Sequence, residues 1–311
     1  MLKIKNMVQL NYNRMFKSVK RRSRMNNPTP VVLRLKTFCV TDKEVPKCAI
    51  ASYIINGYRP RLTQTQAINS VFAWHNETVN IWTHLFPSLC FLLYTCLQLQ
   101  RQTTSIFIIS AFLMSAALVF SSTFHVMCST PRLYYKYLTC DNFGMFSTIG
   151  LCVGSAVHLI SINLTQIEHV IYIAIFGGIL AVSLYFVVEP TIARSGFDAD
   201  EMTLCTEQAL RGNKLAPFFL LLCISFWIVP IVHLYFVNEE LAVNITLILL
   251  WEYLAWVSCF VIWFLQLPEI CFPGSFDYFG NSHNLFHCCI VLCNVYHIYN
   301  IDLLLKANNI Q

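Results

Sequence analysis

Charge is what this sequence has least of. Only 12% of its 311 residues are Asp, Glu, Lys or Arg, against roughly 25% in soluble domains. That scarcity excludes a fully water-exposed globular surface. With 56% hydrophobic residues and a mean hydropathy of +0.56, the chain reads as an integral membrane protein. No CxxC pair occurs among its 14 cysteines. Most of them lie inside apolar runs (Cys90, Cys96, Cys152, Cys223, Cys259, Cys288, Cys289 and Cys293), which points to buried, reduced thiols and not to a disulfide scaffold. The first thirty residues are basic but lack an apolar core followed by a small-residue cleavage site, so no cleaved signal peptide is expected. Nothing in the composition points to nucleic acid.

Lys and Arg are absent from seven apolar stretches, roughly 79–99, 104–126, 142–163, 169–188, 216–237, 243–266 and 284–305. Each is close to the ~20 residues that a membrane helix needs. The loops sort by charge. A cytoplasmic N-terminus puts 19 of the 21 Lys and Arg inside and leaves only Arg101 and Lys306 outside. The expected fold is therefore all-α: a polytopic, seven-transmembrane helix bundle with its N-terminus cytoplasmic and its C-terminus outside, in a plasma membrane or an endomembrane. Residues 1–60 form a basic cytoplasmic segment and residues 61–311 the membrane domain. The run "KSVKRRSR", Lys17 to Arg24, is a positive-inside flank that could also attract anionic lipid. Sequons at Asn76, Asn163 and Asn244 sit in the cytoplasm or against the bilayer, so none should be efficiently glycosylated.

On this topology His125, Asp141, His283 and His287 all fall at the cytoplasmic ends of their helices, although only Lys and Arg set the topology. His283 and His287 are i and i+4 and so share a helix face. One HxxxH alone is a weak pattern, and a single intramembrane His is more often a packing residue than a ligand. A third His and an Asp at the same depth make it a candidate site. Three imidazoles with an open position are the ligand set of a catalytic-type Zn²⁺ centre, and bound zinc brings the pKa of its water to about 7. His125, His283 and His287 are thus the candidate ligands. Asp141 is a candidate general base, and Ser121, one turn before His125, a candidate hydrogen-bond donor. His84, His158, His233 and His297 lack such company and read as structural. In "HNETVNIWTHL", Asn76 or Thr78 is the expected helix N-cap, and the block as a whole should brace the site without touching metal. Glu252 lies near the middle of the sixth stretch, where an ionisable group is a functional candidate by default. The plainer reading is a protonated, hydrogen-bonded residue facing the bundle interior.

Five pieces of sequence resemble the progestin and adipoQ receptor (PAQR) family. They are "NGYRP" (Asn56 to Pro60), "HNETVNIWTHL" (His75 to Leu85), "SSTFH" (Ser121 to His125), Asp141 in "CDNFG", and "PEICFPGSFDYFGNSHNLFH" (Pro268 to His287). They occur in the family's order and spacing over residues 56–287. "GYRP", and "NIWTHL" followed by "FP", look closer to the membrane progestin receptor branch than to the adiponectin receptors. The resemblance implies a seven-helix bundle opposite in orientation to G-protein-coupled receptors. It also implies zinc on His125, His283 and His287, with Asp141 and Ser121 beside it. Progestin-branch relatives are steroid-responsive receptors and often carry an eighth span, for which this sequence shows no candidate. Adiponectin-branch members resemble ceramidases. The expected function is a membrane receptor for a lipid or steroid ligand, with room for a homo-oligomer. The alternatives are a zinc-dependent, ceramidase-like lipid-amide hydrolase and a zinc-stabilised scaffold without turnover.

Overall fold

In hydrocarbon every backbone N–H and C=O must find its partner inside the protein, so long apolar runs fold as helices. The computed structural model describes Val45 and residues 50–103, 105–192 and 215–308. The basic run Lys17–Arg24 and the cations Arg194, Arg211 and Lys214 lie outside the described residues. A short helix, α1 (Gln64–Asn69), precedes the membrane helices α2 (Thr78–Gln100), α3 (Ser105–Met127), α4 (Tyr134–Ser161) and α5 (Gln166–Ile192). Two short helices follow, α6 (Leu215–Ser225) and α7 (Ile228–Val237), and then the long α8 (Glu239–Leu265) and α9 (Ser282–Ala307).

Among the described residues six helices are long and apolar enough to cross a membrane, and the expected stretch 216–237 is not one continuous helix. The break at Phe226–Trp227 follows from Pro230. Proline has no N–H to give the Phe226 carbonyl, and its ring would collide with that carbonyl. The Phe226 carbonyl instead accepts from Val229 N at 3.1 Å, a tighter turn that separates α6 from α7.

Neighbours in sequence pack side by side: α2 on α3, α3 on α4, α4 on α5, α5 on α6, α7 on α8, and α8 on α9. Helix α9 closes back onto α2. Lipid tails are as apolar as Leu, so small residues and polar bonds hold such helices together. Helix α3 buries Ser110, Ala111, Ser115, Ala117, Ser121 and Ser122, and Ser115 donates to the Ser88 carbonyl of α2 at 2.8 Å. Gly144 on α4 rests on Ala117 of α3. A Cβ at Gly144 would come within 3.0 Å of the Ala117 Cα. This close approach lies one turn from Asp141 and one turn from Ser121, and it fixes how near those two can be.

The segment before the bundle is stitched to it. Asp277, in the loop between α8 and α9, accepts from Ile55 N at 2.8 Å and from Asn56 N and Nδ2, both at 2.9 Å. Gly57 adopts φ +86° where Asn76 N bonds its carbonyl at 2.8 Å, and a side chain there would strike Tyr278. Arg59 is buried and donates to the carbonyls of His125 and Val126, the latter at 2.9 Å, and to Ser70 Oγ. It thereby caps the end of α3 that carries His125.

Candidate functional site

The ends of α2, α3, α4 and α9 meet at one end of the bundle. His125 is in the last turn of α3, His283 and His287 are in the first turns of α9, and Asp141 is in the second turn of α4. The structure brings the three histidines together. One ring nitrogen from each lies within 4.8 Å of the other two, close enough to hold one metal ion. The Nε2 atoms of His125 and His283 are 3.3 Å apart. The ring centroids of His283 and His287 are 4.6 Å apart, and those of His125 and His287 are 4.7 Å apart.

Two of the three rings are oriented from behind. His125 Nδ1 lies 2.8 Å from Glu77 Oε2, which leaves Nε2 facing the cluster. Glu77 also accepts from Asn80 Nδ2 at 2.8 Å, and Asn80 Oδ1 accepts from Asn284 Nδ2 at 2.7 Å. His287 Nδ1 lies 3.2 Å from the Asn80 carbonyl. Helix α9 is itself fixed by Asn281, whose side chain accepts from Asn284 N at 3.0 Å, and by Glu269, which accepts from Ser282 N at 2.7 Å. Burial works to raise the pKa of Glu77. The hydrogen bond and charge of His125, with Asn80 and Arg59, outweigh it and hold the carboxyl well below the usual carboxylate range.

Asp141 lies near Ser121 and His125. Both carboxylates, Ser121 and the three histidines line one cavity of about 240 Å³. The cavity runs from this polar end between apolar walls that include Leu118, Met145, Val187, Trp256 and Ile290.

Some residues lie elsewhere than the sequence suggests. Neither Asn76 nor Thr78 caps α2. Glu77 occupies the N-cap position without capping through its side chain, and Thr78 Oγ1 accepts from His75 N at 2.9 Å instead. Glu77 is turned toward His125, a role that a capping pattern does not predict. His84 does have company. It lies on the same face of α2 as Asn80 and Glu77, lines the cavity, and stacks on His287 with centroids 3.7 Å apart and planes 3° from parallel. His158 and His233 lie away from the cluster, beside His169 and Tyr172. His297 is engaged elsewhere. With Glu252 and Cys152 it forms a second buried group whose ligand atoms lie within 4.8 Å of one another. Glu252 faces the bundle interior and is hydrogen-bonded, as expected: Oε1 lies 2.7 Å from His297 Nδ1, and Oε2 accepts from Asn300 Nδ2 at 2.6 Å.

The fold and site describe a helical, multi-pass membrane protein with a cluster of three histidines at one end of an internal cavity. The chain belongs to the haemolysin-III related family, whose model matches residues 72–298. It is 28% identical over 276 residues to membrane progestin receptor gamma-B of Danio rerio, covering 80% of this chain and 77% of that one. It is 28% identical over 279 residues to membrane progestin receptor alpha of Homo sapiens, covering 83% and 74%. It is 25% identical over 266 residues to the ADIPOR-like receptor IZH2 of Saccharomyces cerevisiae, covering 79% and 77%. The kinship with progestin and adipoQ receptors expected from the motifs therefore holds.

Proposed function

We propose that the chain is a receptor-like membrane protein that takes a lipophilic or steroid ligand into the cavity, with Zn²⁺ held at the cavity's polar end by His125, His283 and His287. In this reading it crosses the membrane seven times, with α6 and α7 together as one broken span. The N-terminus is cytoplasmic, as the Lys and Arg distribution favours, so the zinc lies near the cytoplasmic leaflet. The observation that carries the zinc is the 3.3 Å between the Nε2 atoms of His125 and His283. Two ligand nitrogens at about 2.0–2.1 Å from one tetrahedral zinc are separated by about that distance. The cavity supports the ligand. Pockets that bind small molecules are mostly apolar with a few converging polar groups. The names of the relatives support the steroid class. A tritiated progestin tests the reading: membranes with the wild-type chain should show saturable binding, and Ile290→Trp, which fills the cavity, should abolish it. Absence of saturable binding to the wild type would count against a steroid ligand.

A second reading rests on Asp141 and Ser121. A carboxylate beside a three-histidine metal point, with a serine near it and both lining a largely apolar cavity, is an arrangement suited to lipid-amide hydrolysis. Zinc would supply Lewis-acid chemistry there. Asp141 would hold or pass a proton at its carboxylate, Ser121 would orient that carboxylate, and the apolar walls would seat the acyl chain and exclude water. Released fatty acid from ceramide, scored against Asp141→Asn, separates this enzyme from the receptor.

A further inference from the structure

The cavity has a second polar point that the metal cluster does not use. Asn294 on α9 lines it and is 0% exposed, and neither its amide nitrogen nor its amide oxygen has a hydrogen-bond partner. A buried amide left in this state is a sizeable penalty unless something serves it. Other asparagines of the same helix are engaged through their amide nitrogens: Asn284 donates to Asn80 and Asn300 to Glu252. His283, His287, Ile290 and Asn294 all line the cavity, at spacings of four, three and four residues, and so form one stripe of α9. Seven residues at 1.5 Å rise put Asn294 about 10 Å along the helix from His287. Ile290 lies between them on the stripe, and the cavity lining also includes Trp256 and Met145 from other helices.

We propose that Asn294 is a specificity-determining residue that exchanges a hydrogen bond with a carbonyl or hydroxyl oxygen at the far end of the ligand. The ligand is then a lipophilic molecule with an oxygen function at each end, about 10 Å apart, and not a lipid with one polar end. This rests on the reading of the cavity as a ligand site. An amide N–H serves a carbonyl, and the amide oxygen serves a hydroxyl. A molecule lacking the distal oxygen leaves both atoms buried and unserved, and buried polar groups left unpaired are the strongest source of discrimination between analogues.

The test uses the purified full chain in nanodiscs with androstanedione, a rigid ring system with a carbonyl at each end, and androstanone, which keeps only one. The wild type should prefer the dione by up to about tenfold, the size of one net hydrogen bond. In Asn294→Leu the preference should vanish while androstanone binds at least as well as before. The ligand-free melting temperature of that variant should rise by about 2–4 °C, because an unserved amide has been replaced by an apolar group of similar volume. If Asn294→Leu does not fold, Asn294→Ala is read for the same loss of preference. A preference absent in the wild type, or kept in the variant, means that water serves Asn294 and overturns the proposal. A fall in ligand-free melting temperature assigns Asn294 to packing and overturns it as well. If neither steroid binds the wild type, the ligand reading of the cavity fails and takes this inference with it; failure of the preference alone leaves that reading standing.

Discussion

Replacing Glu77 by Gln removes one charge and keeps the shape. Glu77 Oε2 receives His125 Nδ1 and Asn80 Nδ2, both at 2.8 Å. The carboxylate therefore decides which His125 nitrogen faces the cluster. A Gln oxygen can still accept from His125, but the bond becomes neutral, and a neutral bond is about half as strong as a charge-assisted one. Bonds to charged groups contribute about 1.5–3 kcal/mol and neutral ones about 0.5–1.5, so the loss at His125 is about 1–1.5 kcal/mol. With its oxygen in the place of Oε2, Gln puts its amide nitrogen in the place of Oε1, where Asn76 Nδ2 at 3.5 Å needs an acceptor. Together these should weaken zinc binding by about 10–100-fold, the usual effect of changing the group behind a metal-bound histidine. The assay is zinc competition against a chelator of known affinity on purified protein, with Asp302→Asn as the control. Asp302 pairs with Lys306 at the far end of α9 and is 44% exposed, so removing its charge should leave zinc affinity unchanged. A Glu77→Gln protein that is folded and binds zinc within about twofold of the wild type would show that the carboxylate does not tune the site.

Four further outcomes are expected. His75 is buried, Nδ1 accepts from Glu77 N at 3.1 Å, and Nε2 faces the Ser70 carbonyl, an arrangement that needs the neutral ring. Burial, then the charge of Arg59, lowers its pKa from 6.5 to about 4. The stability it contributes is therefore whole above pH 6.5 and is lost as pH falls toward 4. The loss reaches about 3 kcal/mol, so the melting temperature of the wild type should fall faster over that window than that of His75→Gln; parallel curves contradict the assignment. Gly144→Val drives a side chain into the Ala117 backbone and should lower stability by about 1–3 kcal/mol, as denaturation in mild detergent would show. Arg59→Met strips donors from the last carbonyls of α3 and should both lower the melting temperature and weaken zinc binding. Asp141→Asn should keep zinc, measured by elemental analysis, and on the hydrolase reading should lose ceramide turnover; equal turnover in both proteins dismisses that reading.

The helices were legible because a bilayer leaves a long apolar run one option. The three histidines were legible because an i, i+4 pair and a third ring share a depth that the loop charges set independently. What was not legible depends on which helices become neighbours. Glu77 sits in a short turn before α2, and only the packing of α2 against α3 aims its carboxylate at His125, forty-eight residues away. His84 joins the cluster because α9 closes onto α2 and stacks His287 against it. Arg59 reaches α3 from a segment that precedes the bundle. Asn294 carried no motif at all; only the cavity and its missing partners bring it out. The break between α6 and α7 was readable in principle from Pro230, since a proline within an apolar run removes the bond that the carbonyl four residues earlier needs.

Above all, His125, His283 and His287 are expected to hold one metal ion together. The decisive measurement is zinc content per chain, by elemental analysis on protein purified without added metal. The wild type should carry about one zinc per chain, His283→Ala and His287→Ala less than a tenth of that, and His233→Ala, whose ring lies beside Tyr172 and away from the cluster, full occupancy. Zinc absent from the wild type, or retained in full when either α9 histidine is removed, would contradict it.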